Sequence, residues 1–276
     1  MIMKRALILL VALMLLLPCA YAGENALHLL LIGVDSSAEG QRGRSDTMML
    51  ARVDAATGSV RLVSFLRDLY VPIPGYGKTR LNAAYFYGGE TLLKETLQKQ
   101  FGVTIDRTVT VRFSVLEELV NQLGGIEIEL LEKERLHLNR LLEESGMGSE
   151  KLAQAGSQRL NGRQALMYSR IRKIDDDFQR TSRQQTVITA MMKRAGELGY
   201  WQLLKLALAN LPKVQTDLSF TDIVTLAPLV TQLDRLNLQT ARVPFDGAYH
   251  DETINGMMVL VPNLERCRTQ LQDFLN

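Results

Sequence analysis

The sequence is poor in the groups that usually hold a soft metal or staple a small fold. Among its 276 residues there are two cysteines, Cys19 and Cys267, and three widely separated histidines, His28, His137 and His250. A disulfide framework and a cysteine-ligated zinc site are therefore excluded, and no histidine cluster can be read. No Gly-x-x-x-x-Gly-Lys-Ser/Thr loop occurs, which argues against an ordinary NTPase. No Gly-x-Ser-x-Gly elbow occurs, which argues against a serine hydrolase of the α/β type. Net charge is only +2 and no helix-turn-helix pattern stands out, so a nucleic-acid partner is not expected. No repeat or low-complexity stretch is present. What is present is apolar: 46% of residues are hydrophobic, enough for a sizeable core and against disorder.

The beginning of the chain carries an export pattern. Lys4 and Arg5 precede an uncharged apolar run, Ala6 to Leu17, then Pro18 and Cys19-Ala20-Tyr21-Ala22. A basic start, a short apolar stretch and small-x-small predict a signal peptide over 1–22, cleaved after Ala22. The same stretch, uncharged from Ala6 to Gly23, is barely long enough to serve as a retained membrane anchor. Pro18 makes Cys19 a poor lipoprotein site. On either reading residues 25–276 lie outside the cytoplasm.

Beyond that segment, strands and helices interleave. Strands are expected at Leu29–Val34, Thr47–Val53, Val60–Leu66, Thr108–Phe113, Ile126–Leu130 and Leu238–Pro244. Asp54–Gly58 reads as a hairpin-type turn and Pro72–Gly77 as a loop. Helices are expected at Glu90–Phe101, Val115–Leu123, Arg163–Tyr168, Phe178–Leu198, Trp201–Asn210, Thr221–Leu236 and Asn263–Phe274. Glu132–Gly156 reads as a charged helical insertion at the surface. The pattern predicts a single α/β domain whose mixed central sheet is sandwiched by helices.

Three segments carry the chemistry. Asp35 ends the first strand and Asp46 follows in Gly43-Arg44-Ser45-Asp46; strand ends are common ligand sites in α/β sheets. Two carboxylates would suit magnesium, which takes a few hard oxygens and leaves room for phosphate, although turn aspartates also bond their own backbone. Arg67 and Asp68 leave a strand beside the Pro72–Gly77 loop, followed by Lys78 and Arg80. They are either functional or a surface ion pair. Arg170, Arg172, Asp175, Asp176, Asp177, Arg180, Arg183 and Gln184 form the third segment. In a helix, Arg180, Arg183 and Gln184 share one face, and Asp177 suits the N-cap. Arginines at a helix N-terminus make a phosphate clamp, and five cationic side chains against three carboxylates between Arg170 and Arg183 favour that over a solvated charged face.

These segments, in this order, resemble the LytR-CpsA-Psr family. Leu30-Leu31-Ile32-Gly33-Val34-Asp35 with Gly43 to Leu50 looks like the family's first motif. Arg67 to Gly75 with Lys78 and Leu81-Asn82-Ala83-Ala84-Tyr85 looks like its second. Leu160 to Leu166, then Arg170, Arg172, Asp177-Phe178, Arg180 and Arg183-Gln184-Gln185, looks like its third. The resemblance implies a phosphotransferase over residues 25–276 that moves anionic glycopolymers, such as teichoic acid or capsule, from a polyprenyl pyrophosphate carrier at the membrane surface to peptidoglycan. A pyrophosphatase side activity would follow from the same site. It implies that Asp35 and Asp46 bind Mg2+, or Mn2+ in its place. Arg67, Arg170, Arg172, Arg180 and Arg183 would grip the pyrophosphate with help from Gln184, and Asp68 or Asp177 would take the acceptor's proton. Lys78, Arg80 and Asn82 would bind substrate. The lipid would need an apolar tunnel, with Leu116, Leu119, Val187, Ile188 and Met191 as lining. Leu69, Asp176 and Gln179 depart from the family's usual residues, and the apparent cleavage site departs from its usual retained anchor. Two rival functions remain: a non-catalytic binder of lipid-linked envelope polymers, and a transcriptional regulator, which the export pattern opposes.

Overall fold

The computed structural model describes residues 26–34, 43–54, 57, 59–171, 174–230 and 237–276. The strands are β1 (Leu27–Val34), β2 (Ser45–Asp54), β3 (Ser59–Phe65), β4 (Tyr70–Ile73), β5 (Gly77–Arg80), β6 (Arg107–Arg112), β7 (Ile126–Leu130), β8 (Gly156–Leu160), β9 (Gln215–Thr216), β10 (Asn237–Val243), β11 (Tyr249–Ile254) and β12 (Met257–Pro262). The α-helices are α1 (Asn82–Phe101), α2 (Phe113–Gln122), α3 (Glu132–Glu144), α4 (Gly162–Ser169), α5 (Asp177–Gly196), α6 (Tyr200–Asn210), α7 (Phe220–Val230) and α8 (Leu264–Leu275).

Six strands form one mixed sheet in the order β10-β3-β2-β1-β6-β9. β1 is antiparallel to β2, β2 to β3 and β6 to β9, whereas β1 and β6, and β3 and β10, run parallel. The four co-directional strands therefore end along one edge. That edge receives the N-terminus of β2 and the chain leaving β3, so it gathers the segments around Asp46 and Arg67.

The period-two alternation of the strands sends their side chains to two different layers. Leu30, Ile32, Met48 and Leu50 face a core completed by Leu93, Leu97 and Phe101 of α1 and by Cys267, Leu271 and Leu275 of α8. Leu29, Leu31, Met49, Ala51 and Leu62 face the other way, with Ile188 of α5 against them. A third cluster joins the β7–β8 hairpin to α2, α3, α4 and α5 through Val120, Ile128, Leu138, Leu160, Tyr168 and Val187. Gly162 permits the close approach of α4 to α2, since a Cβ there would lie 2.0 Å from the Glu117 carbonyl oxygen.

The mixed sheet between helices is as expected, and the differences are local. Pro72–Gly77 belongs largely to a hairpin: Tyr70–Ile73 pairs with Gly77–Arg80 around a tight turn. The helix expected from Glu90 starts at Asn82, with non-helical backbone at Gly89 dividing it. β8, β9, β11 and β12 were not foreseen. β11 has four consecutive exposed residues, so it lacks the alternation that marks a half-buried strand. Glu132–Gly156 is not simply a surface insertion, because α3 buries Glu134, His137, Leu138 and Leu142. Residues 1–22, where the signal or anchor was expected, and 231–236 of the expected helix to Leu236, lie outside the described residues. Among the described residues no helix is long and apolar enough to cross a membrane.

Candidate active site

At the strand-end edge, Arg67 sits within reach of three carboxylates. Its Nη1 donates to Asp46 Oδ1 at 3.0 Å, its Nε to Asp68 Oδ2 at 3.3 Å, and its Nη2 reaches Asp177 Oδ1 at 3.5 Å. Burial works against the charge of Arg67, but Asp177, Asp68 and Asp46 outweigh it and hold the pKa above the ordinary arginine value. Arg80 donates to Asp68 at 3.1 Å. From α5, Arg180 donates to Asp177 at 3.1 Å and approaches Asp46 Oδ1 at 3.5 Å. Residues from β2, the β3–β4 turn, β5 and the first turn of α5 thus form one connected acid–base cluster.

Local chain geometry explains the placement. The turn after β3 is pinned by the Leu66 N–H on the Val243 carbonyl and by the Asn82 N–H on the Arg67 carbonyl, at 2.9 and 3.1 Å. Asp177 was expected as the N-cap of the long helix, but the cap is Asp176, whose carboxylate accepts from the Gln179 N–H at 2.9 Å. The shift of one residue leaves Asp177 in the first turn, where its carboxylate meets Arg67 and Arg180. Gln185 fastens α5 across the sheet by donating to Ser64 Oγ at 2.9 Å and to the Ala241 carbonyl at 2.7 Å. Arg180 is 2% exposed, and its Nε–H has no acceptor among the described residues. A buried donor without a partner calls for an explanation, and an anionic ligand at this edge supplies one.

Arg183 lies elsewhere. Its Nε donates to Glu134 at 2.8 Å, its Nη1 to the Ile171 carbonyl at 3.3 Å, and its Nη2 to Asp175, which Lys133 also approaches at 3.5 Å. Burial opposes its charge, yet Asp175 and Glu134 raise its pKa. The three consecutive aspartates therefore do three different things: Asp175 holds Arg183, Asp176 caps the helix and Asp177 joins the cluster. Beside this pair, burial and the charge of Glu134 push the Tyr168 phenol up to about 12. Glu134 was missed as a site-supporting residue. The signal existed, because Glu134, His137, Leu138 and Leu142 follow the i, i+3, i+4, i+8 spacing of one helix face.

The remaining candidates make contacts of their own. Arg170 caps α4, with its guanidinium 5.2 Å from the Phe113 ring centre. Lys78 lies over the Tyr70 ring at 5.2 Å. Asn82 is buried, and its Oδ1 has no partner among the described residues. Asp35 and Arg172 lie outside the described residues. Cys267 is buried, and that burial raises its thiol pKa, in keeping with an inert core thiol.

Between the sheet and α2 and α5 lies an apolar cavity of about 140 Å³. Leu31, Met49, Val111 and Phe113 line it together with Leu116, Leu119, Val187, Ile188 and Met191, so every residue expected to line a tunnel does. Its few polar residues include Thr47, next to Asp46 in the chain, and Gln184, one helical turn beyond Arg180. Cavity and charged cluster therefore share β2 and α5. Among the described residues no trio of His, Cys, Asp or Glu forms a ready metal cage.

A mixed sheet with an acid–base cluster at its strand ends and an apolar cavity on the same strand and helix is the arrangement expected of the family whose motifs the sequence carries. This chain belongs to the LytR_cpsA_psr family, which it matches over residues 19–273. It is 36% identical over 213 residues to the polyisoprenyl-teichoic acid–peptidoglycan teichoic acid transferase TagU of Enterococcus faecalis, a match covering 74% of this chain and 65% of that protein. The matches span about half to two-thirds of the length of the curated relatives. Among solved structures, Bacillus subtilis TagT bound to LIIa-WTA superposes with a TM-score of 0.75 at 26% identity, covering 92% of both chains. TagT with bound octaprenyl pyrophosphate lipid gives a TM-score of 0.71 at 25% identity, covering 92% of this chain and 91% of that one.

Proposed function

We propose that this protein is an extracytoplasmic phosphotransferase that moves a phosphate-linked anionic glycopolymer, of teichoic acid or capsule type, from a polyprenyl pyrophosphate carrier to peptidoglycan. The observation that carries the reading is that an apolar cavity and an arginine–aspartate cluster are built on the same two elements, β2 and α5. The cavity suits a prenyl chain and the cluster a pyrophosphate. The name of TagU and the ligands of TagT support the same reading.

In this reaction the acceptor hydroxyl oxygen bonds to the phosphorus that carries the glycopolymer. The bond from that phosphorus to the bridging oxygen breaks, and polyprenyl phosphate leaves. Arg67 and Arg180, with Arg170 and Arg172, bind the phosphate oxygens and stabilise the charge that spreads over them. Arg183, held by Glu134 and Asp175, fixes the face of α5 from which Arg180 and Gln184 project. Asp68 or Asp177 takes the proton from the acceptor, and both already sit against Arg67. Lys78, Arg80 and Asn82 border the acceptor side. With water as the acceptor, the same displacement is a pyrophosphatase side reaction.

The donor set fits a hard divalent cation: carboxylate oxygens without a thiolate or imidazole. Mg2+ is commonly held by one or two carboxylates plus substrate phosphates, so the lack of a full cage among the described residues is no obstacle. Asp46 with Asp35 would hold Mg2+, or Mn2+, and the ion would neutralise pyrophosphate charge.

The deciding experiment follows transfer of a short polyprenyl pyrophosphate-linked saccharide to peptidoglycan fragments, with and without a chelator. Chelation is expected to slow transfer on the order of 100-fold, and added Mg2+ to restore it. Undiminished transfer would sink the role of Asp35 and Asp46, and no transfer with any metal would leave a polymer binder. The cavity has its own test. Ile188→Trp fills it, and excluding two methylenes' worth of contact costs roughly 1.6 kcal/mol. Octaprenyl pyrophosphate should then bind about tenfold more weakly, while inorganic pyrophosphate binds as before; equal loss for both ligands would count against a lipid cavity.

A further inference from the structure

Three aromatic side chains stand together in solvent where the β4–β5 hairpin meets the start of α1. Tyr76 is 54% exposed, Phe86 48% and Tyr87 39%. The Tyr76 and Tyr87 rings stack with centroids 4.5 Å apart and planes within 5°, and Phe86 meets Tyr87 edge-on at 5.8 Å. Exposed aromatics scattered singly need no explanation, but a contiguous apolar patch marks a contact surface. The turn is shaped to present it. Gly75 and Gly77 flank Tyr76 with φ of +79° and +72°, a backbone that glycine adopts without the cost a side chain would bring.

The patch is tied to the charged cluster at both ends. β5 runs from Gly77 to Arg80, whose guanidinium holds Asp68, and four extended residues place Tyr76 within about 15 Å of it. α1 begins at Asn82, whose N–H is bonded to the Arg67 carbonyl.

Its side of the sheet says what would cover it. α1 packs on the face of Leu30, Ile32, Met48 and Leu50. The cavity lies against Leu31, Met49 and Ile188, on the opposite face. The arginine–aspartate cluster occupies the strand ends between them. Entering and leaving oxygens lie roughly in line in phosphoryl transfer, so a lipid phosphate leaving toward the cavity puts the attacking hydroxyl on the α1 side. That hydroxyl belongs to a sugar. A pyranose offers a flat face of C–H bonds rimmed by hydroxyls, and tyrosine offers an apolar ring with a polar tip.

We propose that Tyr76, Phe86 and Tyr87 form a pyranose-stacking platform that holds the glycan strand of the acceptor beside its attacking hydroxyl. The proposal rests on the transfer reaction above, and its test separates the two. Tyr76→Ala and Phe86→Ala each remove an exposed ring, so the melting temperature should not change. A soluble oligosaccharide of alternating N-acetylglucosamine and N-acetylmuramic acid is titrated into the wild type and each variant by ligand-observed NMR. Binding is expected to weaken about tenfold, and the acceptor KM in the transfer assay to rise by the same factor. The kcat at saturating acceptor and octaprenyl pyrophosphate binding should stay unchanged. Unaltered oligosaccharide binding overturns the platform. So does a rise in donor KM instead, which would assign the rings to the transferred polymer, or a selective loss of binding to phosphatidylglycerol vesicles, which would assign them to the membrane. A wild type that binds the oligosaccharide through these rings yet transfers nothing refutes the transfer reading and leaves the platform standing.

Discussion

Arg180→Ala is expected to slow glycopolymer transfer by about 100- to 1000-fold while leaving the protein folded. Removing one preorganised donor from a site where charge develops costs this much in other enzymes. Arg180 has the features of such a donor: it is buried, it leans on Asp46 and Asp177, and its Nε–H has no acceptor among the described residues. Truncation also removes a cation from between two carboxylates, which Arg67 continues to counter. Steady-state transfer and octaprenyl pyrophosphate binding should fall together. Arg180→Lys keeps the charge but loses the two-pronged grip, so it should recover only part of the rate. A variant that transfers at the wild-type rate would remove Arg180 from the reaction.

Glu134→Ala should have the largest effect on stability. It leaves the Arg183 guanidinium, 3% exposed, without one of its two carboxylates, and it deprives the Leu131 N–H of the acceptor that caps α3. Breaking a buried ion pair from one side commonly costs about 3–5 kcal/mol. Asp175 and the Ile171 carbonyl remain on Arg183, which places the expected loss near the lower figure. For a domain of this size about 3 kcal/mol lowers Tm by roughly 6–12 °C, measurable by calorimetry or urea titration. Glu134→Gln keeps the side chain's shape and an acceptor for one of the two bonds, to Arg183 or to the Leu131 N–H, and should lose less. A Tm within a degree of the wild type would mean that the pair only replaces equally good solvation.

Arg180 and Arg183 serve different parts of the molecule. They lie on one helix face by spacing, which suggested that they act together. In the structure their long side chains diverge, one to the strand ends and the other to α3, because different carboxylates wait for each. Spacing fixes where a side chain starts and leaves open which partner it finds. Asp46, Arg67, Asp68, Asp177 and Arg180 were nonetheless readable as candidates in separate segments, each at a strand terminus or a helix start, and the family resemblance is what joined them into one site. The apolar lining was readable for a similar reason: Val187, Ile188 and Met191 follow one helical stripe, and Leu116 and Leu119 another. The aromatic patch was not readable, because it depends on a turn at Gly75–Gly77 bringing Tyr76 against Tyr87, two side chains that follow no common period. The β7–β8 pairing was hidden for a different reason. β8 buries only Leu160 and carries no pattern of its own until Ile126–Leu130 lies beside it.

One consequence of α5 concerns the carrier. The helix holds Arg180 near its start and Met191, at the far end of the cavity lining, eleven residues later. At 1.5 Å per residue the separation is about 16 Å along the axis. In the proposed reaction the helix would be a ruler laid along the lipid, with the pyrophosphate at its zero mark. A polyprenyl tail is much longer than the ruler, so only its head-proximal isoprene units would be gauged, and the remainder would run on unmeasured. Carriers that differ only in the number of distal isoprenes should look alike to this protein.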